Sequence, residues 1–358
     1  FKKEMNTNLN FFKKSKNLPI DEFFSNVLYD DKFGYYSAKM PFGKKGDYIT
    51  SPKISSLFSE MIAIWIISTW ELIGKPKNFN IVELGPGDGS LIKEGLEVFK
   101  KFPKFNLAKK IFLYEKSSSL RKKQKEILKD NNIKWISDFN KIKEGPIVFF
   151  GNEFFDAIPI QQFKRNKDRL LEKHYILDKK NRVSEFFKNA SKKDFEIIKS
   201  YKSLNKLKFI EFPKSGLKEM KKIVKKILEL NGCILMIDYG YLKSNNQNTL
   251  QSVKRHKKNE ILKNLGKADI TSHVNFNLLT EFFLKENLKV KKIVTQKEFL
   301  QRMGIMKRAE IISRKLRFRE KTNLYLRLKR LISSKMMGNL FKVILAYKFN
   351  NSKFYGFN

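Results

Sequence analysis

The strand pattern Phe79-Asn80-Ile81-Val82-Glu83-Leu84 runs straight into Gly85-Pro86-Gly87-Asp88-Gly89, and a helical stretch from Leu91 to Phe99 follows. A strand, a glycine turn and a helix in that order make a nucleotide-type site, because glycine lets the backbone come close to a ligand at a helix N-terminus. The acid narrows the class. Dinucleotide sites space their glycines G-x-G-x-x-G around a pyrophosphate, whereas E-x-G-x-G-x-G sets a carboxylate beside the ligand. This suits a cationic ligand such as S-adenosylmethionine, cradled by Gly85, Gly87 and Gly89, with Glu83 facing its methionine amino group. The competing role for Glu83 is to cap the helix that follows.

From Phe79 onward strand and helix patterns alternate, which predicts a parallel sheet with helices on both faces. Further strands are expected at Lys110 to Glu115, Ile133 to Ile136, Ile147 to Phe150, Cys233 to Asp238 and Val290 to Val294, and Leu340 to Tyr347 closes the sheet. Helices are expected at about Ser118 to Lys129, Leu217 to Leu230 and Phe276 to Lys285, with a basic helical segment at 297–331. Two stretches break the rhythm. Residues 160–212 contain a hairpin pattern, Leu170 to Leu177 and Arg182 to Phe187, and residues 241–270 are polar and loop-rich. The expected organisation is a helical N-terminal segment at 1–75 and a core at 76–350, with substrate-shaping insertions at about 160–212 and 241–285. Ser51 is expected to cap a helix with Pro52 in its first turn.

Composition bounds the rest. With 41% hydrophobic and 13% aromatic residues the chain has ample core, so wholesale disorder is excluded despite a net charge of +39. That charge admits a nucleic-acid partner, but the lysines are spread along the chain rather than gathered in a stripe, and diffuse charge does not favour recognition. The arginines from Arg314 to Arg330 are the best single patch for an acidic partner and otherwise a solvated helix face. Cys233 is the only cysteine and lies in an apolar run, which excludes an internal disulfide. His174, His256 and His273 are far apart and there is no C-x-x-C, so no metal is expected. The apolar run Met61 to Trp70 is well short of the ~20 residues of a membrane span. Phe1-Lys2-Lys3 carries no signal-peptide pattern, and a first residue of Phe rather than Met leaves the natural beginning open.

Acids at the ends of the other strands complete a candidate site, because open α/β sheets bind ligands at the carboxyl edge. Glu115 is placed to accept both hydroxyls of a ribose. Asp138 either meets an adenine amine or is a turn residue. After the fourth strand comes Gly151-Asn152-Glu153-Phe154-Phe155-Asp156-Ala157-Ile158-Pro159, where a methyl acceptor belongs. An arginine acceptor would need carboxylates to hold its guanidinium, and Glu153 and Asp156 share a side if this segment turns helically. In the alternative, Asn152 or Glu153 caps a short helix. Asp238-Tyr239-Gly240 is either a structural turn or a wall of the site.

These segments, together with Gly46 to Pro52, Gly266 to Phe276, Thr295 to Leu300 and Met337 to Val343, occur in order over nearly the whole chain, which resembles the MidA family. The resemblance implies a class I, Rossmann-like methyltransferase with a mixed seven-stranded sheet that uses S-adenosylmethionine. For mitochondrial members it implies symmetric dimethylation of an arginine in a complex I subunit. By position it carries Gly85, Gly87 and Glu115 onto the cofactor site, and Glu153 and Asp156, beside Asn152, onto the acceptor site. It also makes the loop from Gly46 and Asp47 to Thr50, Ser51 and Pro52 a cover for the cofactor. Asp88 stands where the family usually has arginine, and Ser59 where glycine is common. A protein substrate is expected, in the cytoplasm of a bacterium or, for the eukaryotic members, in the mitochondrial matrix. An RNA methyltransferase and a non-catalytic assembly factor are the competing readings.

Overall fold

All six residues of β1 (Phe79–Leu84) are buried, as a parallel strand covered on both faces requires. A computed structural model describes residues 10–13, 15–38, 50–129, 132–167, 169–243 and 246–357. The chain divides into two compact units, one drawn from 1–48, 155–220 and 241–282 and the other from 49–154, 221–240 and 283–358. The second unit holds β1.

Its remaining strands are β2 (Lys109–Tyr114), β3 (Ile133–Ile136), β4 (Ile147–Asn152), β5 (Cys233–Tyr241), β6 (Lys289–Val290), β7 (Val294–Thr295) and β8 (Phe341–Tyr347). The sheet runs in the order β6-β8-β5-β4-β1-β2-β3, with β7 also on β8. From β5 to β3 neighbours are parallel, while β8 runs antiparallel to β5. The order reverses between β1 and β4, since β2 lies on one side of β1 and β4 on the other. Such a switch point opens a crevice at the carboxyl ends of the two strands, which is where the glycine turn and Asn152 lie.

Helix α1 (Ser51–Ile54) leads into α2 (Ser56–Leu72), whose first turn is capped by the Ser55 side chain. α2 is apolar nearly all round, with Phe58, Trp65 and Ile66 among its buried residues, so it is a core helix rather than a surface one. It packs against α3 (Ser90–Phe99), where a side chain at Gly95 would stand 3.8 Å from Ala63. The basic segment after β7 is three helices, α4 (Gln296–Arg302), α5 (Ile305–Ser313) and α6 (Phe318–Ile332). The first break falls at Gly304, whose φ of 84° no helix accommodates.

The other unit is built on a five-stranded antiparallel sheet, in which Arg169–Leu177 pairs with Asn17–Pro19, Gln161–Asn166 and Val183–Asn189. The expected hairpin is present. Its turn is held by the Asp178 carboxylate, which accepts from the backbone N–H groups of Lys180 and Arg182. Helix Ile20–Tyr29 packs on this unit's own core, with Phe23 and Phe24 against Tyr175. Residues 241–270 carry more structure than their polarity suggested, a small sheet of Gln251–Lys254, Lys257–Asn259 and Asp269–Thr271. Polar pairing residues such as Gln251 and Ser252 hide a strand whose partners lie across a turn.

Candidate active site

The glycine turn has the backbone that its sequence required. Gly85, Gly87 and Gly89 have φ of 60°, 57° and 81°, all in the left-handed region. The Gly85 N–H donates to the Tyr114 carbonyl at 3.0 Å, which ties the turn to the end of β2. A side chain at Gly85 would meet the Phe154 ring at 2.9 Å. Gly85→Ala is therefore expected to destabilise the fold by about 1–2 kcal/mol through the left-handed backbone alone. Urea denaturation measures it, and a smaller loss in a Gly85→Ala, Phe154→Leu double variant would assign the remainder to the ring.

Glu83 is 4% exposed, and its Oε2 accepts no hydrogen bond among the described residues. Burial, and then the charge of Asp88, raise its pKa to about 8. Glu83 does not cap the following helix. Gly89 holds the N-cap position, and Asp88 Oδ1 accepts from the Ser90 N–H at 3.1 Å. A buried carboxylate with an orphaned oxygen beside a bare glycine turn is suited to a ligand that brings its own positive charge.

Asp88 does not add a second uncompensated charge there. The Lys53 ammonium, carried on α1, forms an ion pair with Asp88 Oδ2. The two side chains are 33% and 10% exposed, so the pair is partly shielded from water. A double-mutant cycle between Lys53→Met and Asp88→Asn is expected to give a coupling of about 1 kcal/mol in urea denaturation. Additive losses would mean that the pair contributes nothing to the turn.

Glu115 lies just past β2 and is buried. Its Oε1 accepts from the Ser117 N–H at 2.8 Å and its Oε2 from Gln124 Nε2 at 3.3 Å. Burial raises its pKa, against the pull of these two donors. Gln124 is a residue the sequence reading missed. On the helix Ser118–Leu128 it occupies the buried stripe of Leu120 and Leu128, where a polar side chain signals a partner. Its Nε2 also donates to the Gly87 carbonyl at 2.7 Å, and its Oε1 accepts from Trp135 Nε1 at 2.8 Å. One side chain thus links the glycine turn to Glu115 and to β3.

Asp138 is exposed, and its Oδ1 accepts from the Asn140 N–H at 3.0 Å, so it caps the short turn Phe139–Lys141. Asp238 is buried within β5, which continues to Tyr241 rather than ending in a turn. Thr50, not Ser51, occupies the N-cap position of α1, and Pro52 lies in its first turn. Ser51 is fully buried, and its N–H donates to Glu153 Oε1 at 3.2 Å. Its hydroxyl lies 3.4 Å from Gln296 Oε1. Gly46 and Asp47 lie outside the described residues.

The segment after β4 departs from the helical turn that was expected. The Glu153 N–H donates to the Ile237 carbonyl at 2.9 Å, which prolongs the sheet by one bond, and Glu153 itself has φ 53°. A left-handed glutamate is strained, and such strain is held where surrounding contacts over-determine it. Here Asn152 Nδ2 donates to Glu153 Oε1 at 2.9 Å beside the Ser51 bond. Glu153 and Asp156 therefore do not share a helix face. Asp156 belongs to the other unit, where it is buried and its carbonyl accepts from the Ser272 N–H at 3.0 Å.

Residues 61–294, more than half of the chain, match the family described as "Putative S-adenosyl-L-methionine-dependent methyltransferase". The chain belongs to this family, the MidA-type methyltransferases. It is 30% identical to the Caenorhabditis elegans protein named "Protein arginine methyltransferase NDUFAF7 homolog, mitochondrial", over 80% of this chain and 73% of that one. The corresponding Xenopus tropicalis protein is 27% identical over 85% of this chain and 76% of its own. A Burkholderia thailandensis crystal structure bound to S-adenosyl-homocysteine matches in fold with a TM-score of 0.80 at 20% identity, over 99% of this chain and 94% of that one. This member of the family is thus an S-adenosylmethionine-dependent methyltransferase with a class I fold. Among the described residues no helix is long and apolar enough to cross a membrane, and no group of acids, histidines or cysteines is arranged to hold a metal.

Proposed function

We propose that this MidA-family protein methylates arginine in a protein substrate, in the class of respiratory complex I subunits. Glu83 carries the donor half of the reading, because its orphaned, buried carboxylate is matched by a cationic amino group. Gly85, Gly87 and Gly89 would receive the cofactor against bare backbone, Glu115 its ribose hydroxyls and Asp138 its adenine. The loop from Gly46 and Asp47 through Thr50, Ser51 and Pro52 would cover it. Once bound, the cofactor supplies a sulfonium methyl group for an in-line displacement.

Glu153 carries the acceptor half. A guanidinium has a pKa above ~12 and its charge is spread over three nitrogens, so it must be held and polarised. Glu153, with its backbone pinned and its Oε1 fixed by Ser51 and Asn152, would draw positive charge toward the nitrogens that do not react. Asp156 would be the second carboxylate, and Asn152 orients the first. The names of the relatives add support for arginine as the acceptor. In a bacterium the reaction would take place in the cytoplasm.

The net charge of +39 admits RNA as the alternative acceptor, although its spread along the chain does not favour it. The case for a non-catalytic assembly factor, which rests on the charge of Asp88, is weakened by the Lys53 pair. Incubation of a cell lysate with the protein and methyl-labelled cofactor separates the three. Label in protein, recovered as dimethylarginine after hydrolysis, is the expected result; label in RNA alone selects the alternative. Calorimetry that detects no cofactor binding would select the assembly factor.

A further inference from the structure

Helix α6 buries one face and leaves a second apolar stripe in solvent. Leu328 and Leu331 are buried in the core, whereas Phe318 is 87% and Leu326 59% exposed. Phe318, Thr322 and Leu326 fall at helical spacing along this outer stripe, flanked by Lys321 and Lys329, while Tyr325 at its edge is half-buried, packs on the core and donates its hydroxyl to Ser313 Oγ at 3.3 Å. They line a shallow groove of about 380 Å³. Between Arg314 and Arg330 the sequence has a single acid, Glu320, and its carboxylate is already engaged by the Arg317 N–H. Arg319, Lys321, Arg327, Lys329 and Arg330 are exposed and have no carboxylate partner among the described residues.

We infer that the outer face of α6 is a docking surface for an anionic lipid bilayer. Among the described residues the groove is lined by this one helix alone, with no second wall among them to enclose a guest. A peptide helix needs a groove between walls, and single-stranded nucleic acid needs a channel that tracks its backbone. A soft surface needs neither. Phenylalanine and leucine in a row, with lysine and arginine on either side, are the composition of a helix that lies in a headgroup layer. The apolar side chains enter the acyl boundary while the long basic ones reach the lipid charges.

Co-sedimentation of the full chain with vesicles of phosphatidylserine and phosphatidylcholine tests this, with phosphatidylcholine vesicles as the neutral comparison. Binding to the anionic vesicles alone is expected. Phe318→Ser with Leu326→Ser, which leaves the charge unchanged, is expected to weaken it about tenfold, and Arg327→Glu with Arg330→Glu at least as much. Lys179→Glu with Lys180→Glu makes the same charge change at the exposed turn of the hairpin and is expected to alter binding by less than about twofold. Cofactor affinity and thermal midpoint should be unchanged in all three, which shows that the fold is intact. Equal binding by all variants would reduce the effect to diffuse charge and overturn the assignment. So would failure to bind anionic vesicles, or retention of an RNA oligonucleotide in their place through the same residues.

Discussion

Glu83→Gln is expected to abolish the proton release that accompanies cofactor binding and to weaken that binding about tenfold to a hundredfold near pH 8. The sign follows from two groups. Glu83 in the free protein titrates at about 8, so below that pH it is protonated and must lose its proton to face an ammonium. An α-amino group titrates at about 7.7–8.0, so above that range the ligand loses its own charge. The wild-type affinity should therefore peak near pH 8 and fall by up to about tenfold per pH unit on the acidic side. Glutamine removes the acidic limb, so the two proteins should converge toward pH 6. Calorimetry in buffers of different ionisation enthalpy reads the proton directly. A wild type that binds at pH 6.5 without releasing one would show that Glu83 does not meet the amino group. The free protein carries the opposite linkage. Because the carboxyl is raised from 4.5 to about 8 on folding, its favourable contribution is complete below 4.5 and is lost as pH rises through 8. Glu83→Gln should accordingly be no less stable than wild type at pH 9 without cofactor.

Glu153→Gln is expected to lower the turnover number by about 10²–10³ with cofactor affinity unchanged, because the lost charge acts on the acceptor and not on the donor. Glutamine keeps the carbonyl that accepts from Ser51 and Asn152, so the pinned backbone should survive. Glu153→Gly separates charge from strain. It relieves the φ of 53°, yet should lose the same catalytic factor. Single-turnover methylation with bound, labelled cofactor measures both. Full activity of the glutamine variant would remove Glu153 from the acceptor site and leave Asp156 as the remaining candidate.

The glycine turn and the acids beside it were legible because local rules govern them. The three glycines were needed wherever backbone must turn left-handed, and all three do. Glu83 and Glu115 were located at the carboxyl edge of the sheet by recognising the strands alone. The segment after β4 was less legible. Asn152 to Pro159 has a sequence compatible with a helical turn, but the bond from Glu153 to Ile237 keeps its first two residues on the sheet before the chain turns at Phe155 to Ile158. Gln124 gave a signal, a polar residue on a buried stripe, but not its partners.

The sequence by itself determined the alternation of strands and helices, the conformation of the glycine turn and the acids at the sheet edge, because periodicity and backbone preference act between near neighbours. Only the tertiary structure decided that Lys53 neutralises Asp88, that Gln124 joins the turn to Glu115, and that Ser51 and Asn152 hold Glu153 in a strained backbone. Those outcomes need segments remote in the chain to meet. A charge or an amide in a sequence announces that it wants a partner, and the packing of the core selects which one it has.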